Sequence, residues 1–199
     1  MNANLYLHLP KTRIGAVIVA GFAALAAAAA TPQQIADSLA SITQKFQTLQ
    51  APAQSITILN APLIVIGQGP FPQIIAGFQD IVSTSTALAA QLGGSGARRR
   101  SVEPRDADAD LVFNSYRPLV RVAQATLNIL IGKAGVVSKV PVVGEPVATA
   151  LRGVEAIQDD IAIKLINMFS DRANDLTAEA NSLDATMTLA IHSYESIVV

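Results

Sequence analysis

Two polar residues interrupt otherwise apolar helical stripes, and they are the best candidates for contact with a ligand. Ser85 and Gln158 each stand where a repeat of apolar residues every three or four positions would place a core side chain. A buried hydroxyl or amide without a partner costs free energy, so each could bind the carboxylate of a fatty acid in an apolar cavity. Alternatively, Ser85 bonds a backbone carbonyl, and the second stripe shifts so that Ile157 packs inward.

The residue types that catalysis or metal binding requires show no recognisable arrangement. The chain has no cysteine, and His192 is the one histidine after residue 30. Asp106, Asp108 and Asp110 have the spacing that opens a calcium loop, but Leu111 stands where that loop needs glycine. Aspartates at these positions suit the start of a helix instead. We therefore expect no enzyme activity, no metal site and no cofactor.

The composition indicates a helical protein. Hydrophobic residues make up 51% of the 199 residues, yet aromatic residues make up 5% and tryptophan is absent. Alanine, leucine, isoleucine and valine therefore supply the apolar content, which favours helices over a β-sandwich. The formal net charge of -1 offers no basic face for nucleic acid.

The N-terminal segment has the pattern of a secretory leader. Lys11 and Arg13 precede an uncharged run, Ile14–Ala30, which ends in Ala28, Ala29 and Ala30. A basic start, an apolar centre and small residues at the end are typical of a cleaved signal peptide, here residues 1–30. A retained anchor is the alternative, but the run is shorter than the roughly 20 apolar residues that span a bilayer. We expect secretion and no transmembrane span after cleavage.

The remaining chain, 31–199, is predicted to be one domain, an antiparallel bundle of five to six amphipathic helices. Thr31–Gln34 has the pattern of a capping box, from which a first helix runs to about Gln50. The apolar segment Ser55–Ile66 predicts a short or kinked buried helix that ends near Gly67.

The later helix boundaries follow from glycine, proline and charge. The next long helix is predicted to stop at Gly93–Gly94, and residues 93–106 form a flexible loop. Pro118 predicts a kink or a late start in the helix that follows. After the connection Val136–Pro146 another helix is expected, and the last one begins near Asp171.

Three consecutive arginines, Arg98–Arg100, lie in the predicted flexible loop. In a secretory protein they suit cleavage by a protease that recognises basic pairs. A solvated loop and a nucleic-acid patch are the other interpretations.

The chain resembles the fungal hydrophobic surface binding protein A and cell wall galactomannoprotein family across about residues 31–197. Four features carry the resemblance: the leader with its first amphipathic helix; Tyr116–Val120 with Leu127–Lys133; Pro141–Ala148; and Ser182–Thr186 with Ala190–Ile191. The resemblance implies a secreted or wall-associated helical bundle. It further implies adsorption to hydrophobic surfaces or the binding of fatty acid in a central cavity.

Under the cavity hypothesis, ten residues are predicted to surround the ligand. They are Leu39, Ile42, Phe46, Phe78, Ser85, Leu127, Leu130, Gln158, Ile161 and Leu165. Under the surface hypothesis, the predicted short helix Ser55–Ile66, and its apolar run Leu63–Ile66 in particular, contacts the hydrophobic surface. A secreted hydrolase is a further candidate partner. A structural cell-wall protein without a ligand is the alternative to both hypotheses.

Overall fold

The computed structural model describes residues 30–95, 106–138 and 140–197. The predicted leader before Ala30 and the Arg98–Arg100 loop lie outside these residues.

Five α-helices and three short 3-10 helices make up the described chain, which contains no strand. The all-α prediction is therefore confirmed. The α-helices are α1 (Pro32–Gln54), α2 (Pro70–Ser95), α3 (Asp106–Val137), α4 (Gly144–Met168) and α5 (Ala173–Glu195). The 3-10 helices are Ala61–Ile66, Pro141–Val143 and Ser170–Arg172.

The five α-helices form a closed ring in which each helix packs chiefly against two others. The order around the ring is α1, α3, α5, α4, α2 and back to α1. The apolar stripes face inward and form one buried core, which includes Phe46, Phe78 and Tyr116. The buried Tyr194 of α5 joins this core to the neighbouring helix α3, because its hydroxyl donates to the carbonyl oxygen of Leu130 at 3.0 Å.

Helices that follow one another along the chain run antiparallel, as predicted. Lys45 of α1 pairs with Asp80 of α2, while Leu49, one turn later on α1, meets the earlier residue Gly77. Helices of the ring that are not consecutive, such as α2 and α4, run parallel, since positions 82 and 85 of α2 meet positions 153 and 158 of α4.

The first helix begins as its sequence predicts. The Thr31 hydroxyl accepts from the Gln34 backbone N–H at 3.2 Å, and the Gln34 side chain accepts from the Thr31 N–H at 2.8 Å. These two bonds complete the capping box. The helix continues four residues beyond the expected end, to Gln54.

The segment Ser55–Ile66 ends in a short helix next to Gly67, as predicted, and Ile56 and Ala61 are buried. The prediction that the whole segment is buried is wrong. A turn leads into a 3-10 helix, and the side chains of Ile58, Leu59, Val65 and Ile66 are 64–89% exposed. A two-turn 3-10 helix at the end of a bundle has a core on one side only, so most of its apolar side chains face outward. Composition alone does not reveal this placement.

Two other boundaries differ from the prediction. Helix α2 continues through Gly93–Gly94 to Ser95, because glycine weakens a helix by only about 1 kcal/mol relative to alanine. Helix α3 begins at Asp106 and contains Pro118 in its interior, so the helix does not start late.

Helix α3 is the one described helix whose length and hydropathy would suit a membrane span, and it packs in the ring between α1 and α5.

The 3-10 helices Ala61–Ile66 and Pro141–Val143 contact each other at one end of the ring. We call this end the connector end. It also contains the first residues of α2 and α4.

Candidate ligand-binding site

All ten residues predicted to surround a ligand lie in the buried core, on the inner faces of four helices. Helix α1 supplies Leu39, Ile42 and Phe46, α2 supplies Phe78 and Ser85, α3 supplies Leu127 and Leu130, and α4 supplies Gln158, Ile161 and Leu165. None is more than 3% exposed. The structure gives each a packing function in the core, and contact between these residues and a ligand stays a prediction.

The two polar members of this set bind each other. Gln158 Nε2 donates to Ser85 Oγ at 3.1 Å, across the seam between α4 and α2. Gln158 is 3% exposed and the neighbouring Ile157 is only half-buried, so the apolar stripe does not shift. Sequence analysis correctly placed both polar residues inside the core, but the pairing depends on the helix register and could not be predicted.

The Gln158 pairing is incomplete, because its Oε1 is buried and has no hydrogen-bond partner. Leaving such an acceptor unpaired costs about 1–3 kcal/mol. Gln158 lines a small cavity between α4 and α5 that has Tyr116 of α3 in its wall. The cavity has a volume of about 10 Å³, which is room for about one water molecule.

Three carboxylates surround the same cavity, Glu155 and Asp159 from α4 and Asp184 from α5. Desolvation and the charges of Asp159 and Asp184 raise the pKa of Glu155, against smaller opposing effects of Thr188 and Arg152. Desolvation and the Asp184 charge likewise raise the pKa of Asp159. Burial raises the pKa of the Tyr116 hydroxyl, and the charge of Asp159 adds to the effect. The cavity is therefore rich in acceptors and in negative charge.

Thr126 is a third buried polar residue, and sequence analysis did not select it. Its hydroxyl lies 2.9 Å from the carbonyl oxygen of Val122 and 3.0 Å from that of Phe46 on α1. Such a side chain is satisfied within the bundle and fixes the contact between α1 and α3.

A larger apolar groove runs along the outer seam between α2 and α4, starting at the connector end. Its lower part, nearer the connector end, has a volume of about 520 Å³. Its upper part, farther along the two helices, has a volume of about 300 Å³. Ile75, Gln79 and Pro146 line both parts, so the two are continuous. The remaining lining residues are Ile64, Val65, Gly67, Pro72, Ala76 and Val142 below, and Val82, Thr149, Ala150 and Gly153 above. Below, we refer to this feature as the α2–α4 groove.

Exposed apolar side chains cluster at the same end of the molecule. Nine large hydrophobic residues of the described chain are at least 37% exposed. Seven belong to or adjoin the connector end: Ile58, Leu59, Leu63, Val65, Ile66, Val136 and Val142. The other two, Ile163 and Leu189, lie on the outer faces of α4 and α5. An apolar patch beside an apolar groove is typical of a surface that contacts a ligand or another apolar phase.

Sequence analysis selected part of this surface and missed the rest. The run Leu63–Ile66 was a candidate for contact with hydrophobic surfaces, and the structure leaves Val65 and Ile66 largely exposed. Ile75 and Val142 were missed because they lie far apart in the sequence. Ile75 lies outside the stripe of apolar residues on α2 that faces the core. An apolar residue at such a position was the one local sign of the groove.

Comparisons with known proteins support the fold. No family model matches the chain, and no curated protein matches it. Among solved structures, the fold is similar to that of AfMP4p, whose crystal structure is in complex with palmitic acid. The TM-score is 0.69, with 16% sequence identity, over 82% of this chain and 99% of that one. The chain therefore shares the helical fold of a protein that binds a fatty acid.

Proposed function

We propose that this protein binds fatty acids or similar long-chain apolar molecules without catalysis, and that the α2–α4 groove receives the chain. The observation that carries this proposal is an apolar groove that opens among seven exposed hydrophobic residues at the connector end. The fold neighbour supports the class of ligand, because AfMP4p was crystallised with palmitic acid.

The dimensions of the groove suit an extended chain. Ligand pockets in proteins typically have volumes of about 300–1,000 Å³, and the two parts of the groove fall within this range. From Pro72 to Val82 the axis of α2 rises about 15 Å, which is comparable to most of an extended acyl chain. Each methylene group removed from water contributes about 0.8 kcal/mol, so a chain lying along the groove gains affinity along its length.

The same end of the molecule can also adsorb to a hydrophobic surface. Ile58, Leu59, Val65 and Ile66 project from the connector end beside the groove. Their burial against wax, polyester or lipid would follow the same physical principle as the binding of a free chain.

We propose secretion and association with the cell wall on the basis of the leader pattern and the family resemblance. A structural wall protein without a ligand is the alternative.

Native mass spectrometry of the delipidated full chain tests this proposal. We expect palmitic acid to form a complex of one ligand per chain, and the folded protein to adsorb to hydrophobic beads. Palmitic acid binding without adsorption would support the groove alone. The absence of both would contradict the proposal and favour the structural wall protein.

A further inference from the structure

The small cavity between α4 and α5 lies on a different seam from the α2–α4 groove, and its walls present acceptors. Gln158 is 3% exposed, and its Oε1 has no partner. The amide is held in place on its other side, because Nε2 donates to Ser85 Oγ. Any group that occupies the cavity must therefore donate a hydrogen bond to satisfy Gln158.

The charge of the cavity narrows the choice of occupant. Glu155 and Asp159 lie one turn apart on α4, and Asp184 faces them from α5. Lysine, arginine and histidine are absent from the described residues that line the cavity. Arg152, on the same helix, pairs with Glu145 and Glu195 instead. Arg152 opposes the raised pKa of Glu155 only in part, so negative charge remains at the cavity and a positively charged donor is favoured over water.

The size and geometry indicate an ammonium group rather than a metal ion. The cavity has room for about one water-sized atom. Within the described chain, no group of three or more Asp, Glu, His or Cys residues is arranged to hold a metal ion. Hydrogen bonds from an N–H group tolerate wider spacing than metal coordination does. Ala162, Ala180, Leu183 and Met187 complete the wall with apolar surface.

We propose that this cavity binds the primary ammonium group of a small aliphatic amine, with Gln158 Oε1 and the surrounding carboxylates as acceptors. This site goes beyond the proposed lipid binding and does not depend on it. The amine would bridge α4 and α5 and thereby stabilise this seam of the ring.

The experiment compares methylammonium chloride with tetramethylammonium chloride at equal ionic strength, on the full chain. Both ions carry one positive charge, but the second has no N–H group and exceeds the size of the cavity. We expect methylammonium to raise the Tm in a saturable manner, and tetramethylammonium to leave it unchanged. Potassium chloride at the same concentration is the third arm, and an equal Tm increase with potassium would overturn the assignment of a hydrogen-bonding donor.

Two variants locate the site. Asp184→Asn removes one carboxylate charge at an exposed position and leaves the core intact, and Gln158→Met removes the buried acceptor. We expect each variant to weaken methylammonium binding about tenfold, as the loss of one charge-assisted hydrogen bond predicts. Asp37→Asn, on the exposed surface of α1, is the control and should bind as the wild type does.

Two further outcomes would overturn the proposal. Equal Tm values in methylammonium and tetramethylammonium would show that the cavity does not bind an N–H donor. Undiminished binding in Asp184→Asn would place the amine elsewhere on the surface, even if Gln158→Met failed to fold.

Discussion

The substitution Gly144→Ala is expected to destabilise the fold by about 2–3 kcal/mol, at the upper end of the range for overpacked sites. Gly144 is buried at the start of α4, against the end of α5. A Cβ atom at this position would lie 2.6 Å from the carbonyl oxygen of Tyr194 and 2.8 Å from that of Ile197. Both atoms belong to the backbone, so no side-chain rotation relieves the clash, and α4 and α5 must move apart. Chemical denaturation gives the free energy of unfolding that checks this value.

The matched control is the same substitution at Gly132, within α3. A Cβ atom there meets nothing within 4 Å, and alanine is the better helix former by about 1 kcal/mol. We therefore expect Gly132→Ala to stabilise the protein slightly. Equal stability of the wild type and Gly144→Ala would show that the contact between α4 and α5 is looser than described above.

The double substitution Val65→Glu with Val142→Glu is expected to weaken palmitic acid binding about 100-fold. Both side chains line the α2–α4 groove, one from each 3-10 helix of the connector end. Each would lose about 1.5 kcal/mol of apolar contact with the chain, which corresponds to about tenfold in Kd. Because the two residues are 69% and 49% exposed, we expect the fold to tolerate both carboxylates. A fluorescent fatty-acid displacement assay measures the change.

Ile163→Glu combined with Leu189→Glu is the matched control for this pair. These residues are 59% and 54% exposed, lie on α4 and α5, and do not line the groove. The control adds the same charge to the protein and removes a similar apolar area, yet we expect its affinity for palmitic acid to equal that of the wild type. If both double variants lost affinity to the same degree, the effect would arise from net charge, and the groove would not be the site.

The helices could be predicted from the sequence because their signals are local. The capping box at Thr31–Gln34 and the apolar stripes of α1 and α4 depend on residues within one or two turns of each other. Pro118 does not delay the start of α3, which was one of the two outcomes predicted for it. Its local cost is outweighed by the contacts that buried residues such as Val112 and Tyr116 make with other helices.

The candidate sites could be predicted only in part, because they depend on the register between distant segments. Ser85 and Gln158 were identified as buried polar residues. Their mutual hydrogen bond also requires α2 and α4 to run parallel, with the two residues at the same level along the helix axes. The α2–α4 groove joins residues that lie more than 60 positions apart, such as Ile75 and Pro146. Apart from the position of Ile75 outside the inward stripe of its helix, neither residue shows a local pattern that predicts the groove.

The measurement that tests the central claim most directly is an NMR experiment with a spin-labelled stearic acid, which broadens the methyl signals of nearby residues. If the chain lies in the α2–α4 groove, the methyl signals of Ala76 and Ala150 should broaden, and those of Leu127 and Ile161 in the core should remain sharp. Broadening confined to Leu127 and Ile161 would instead place the ligand at the centre of the ring and contradict the account.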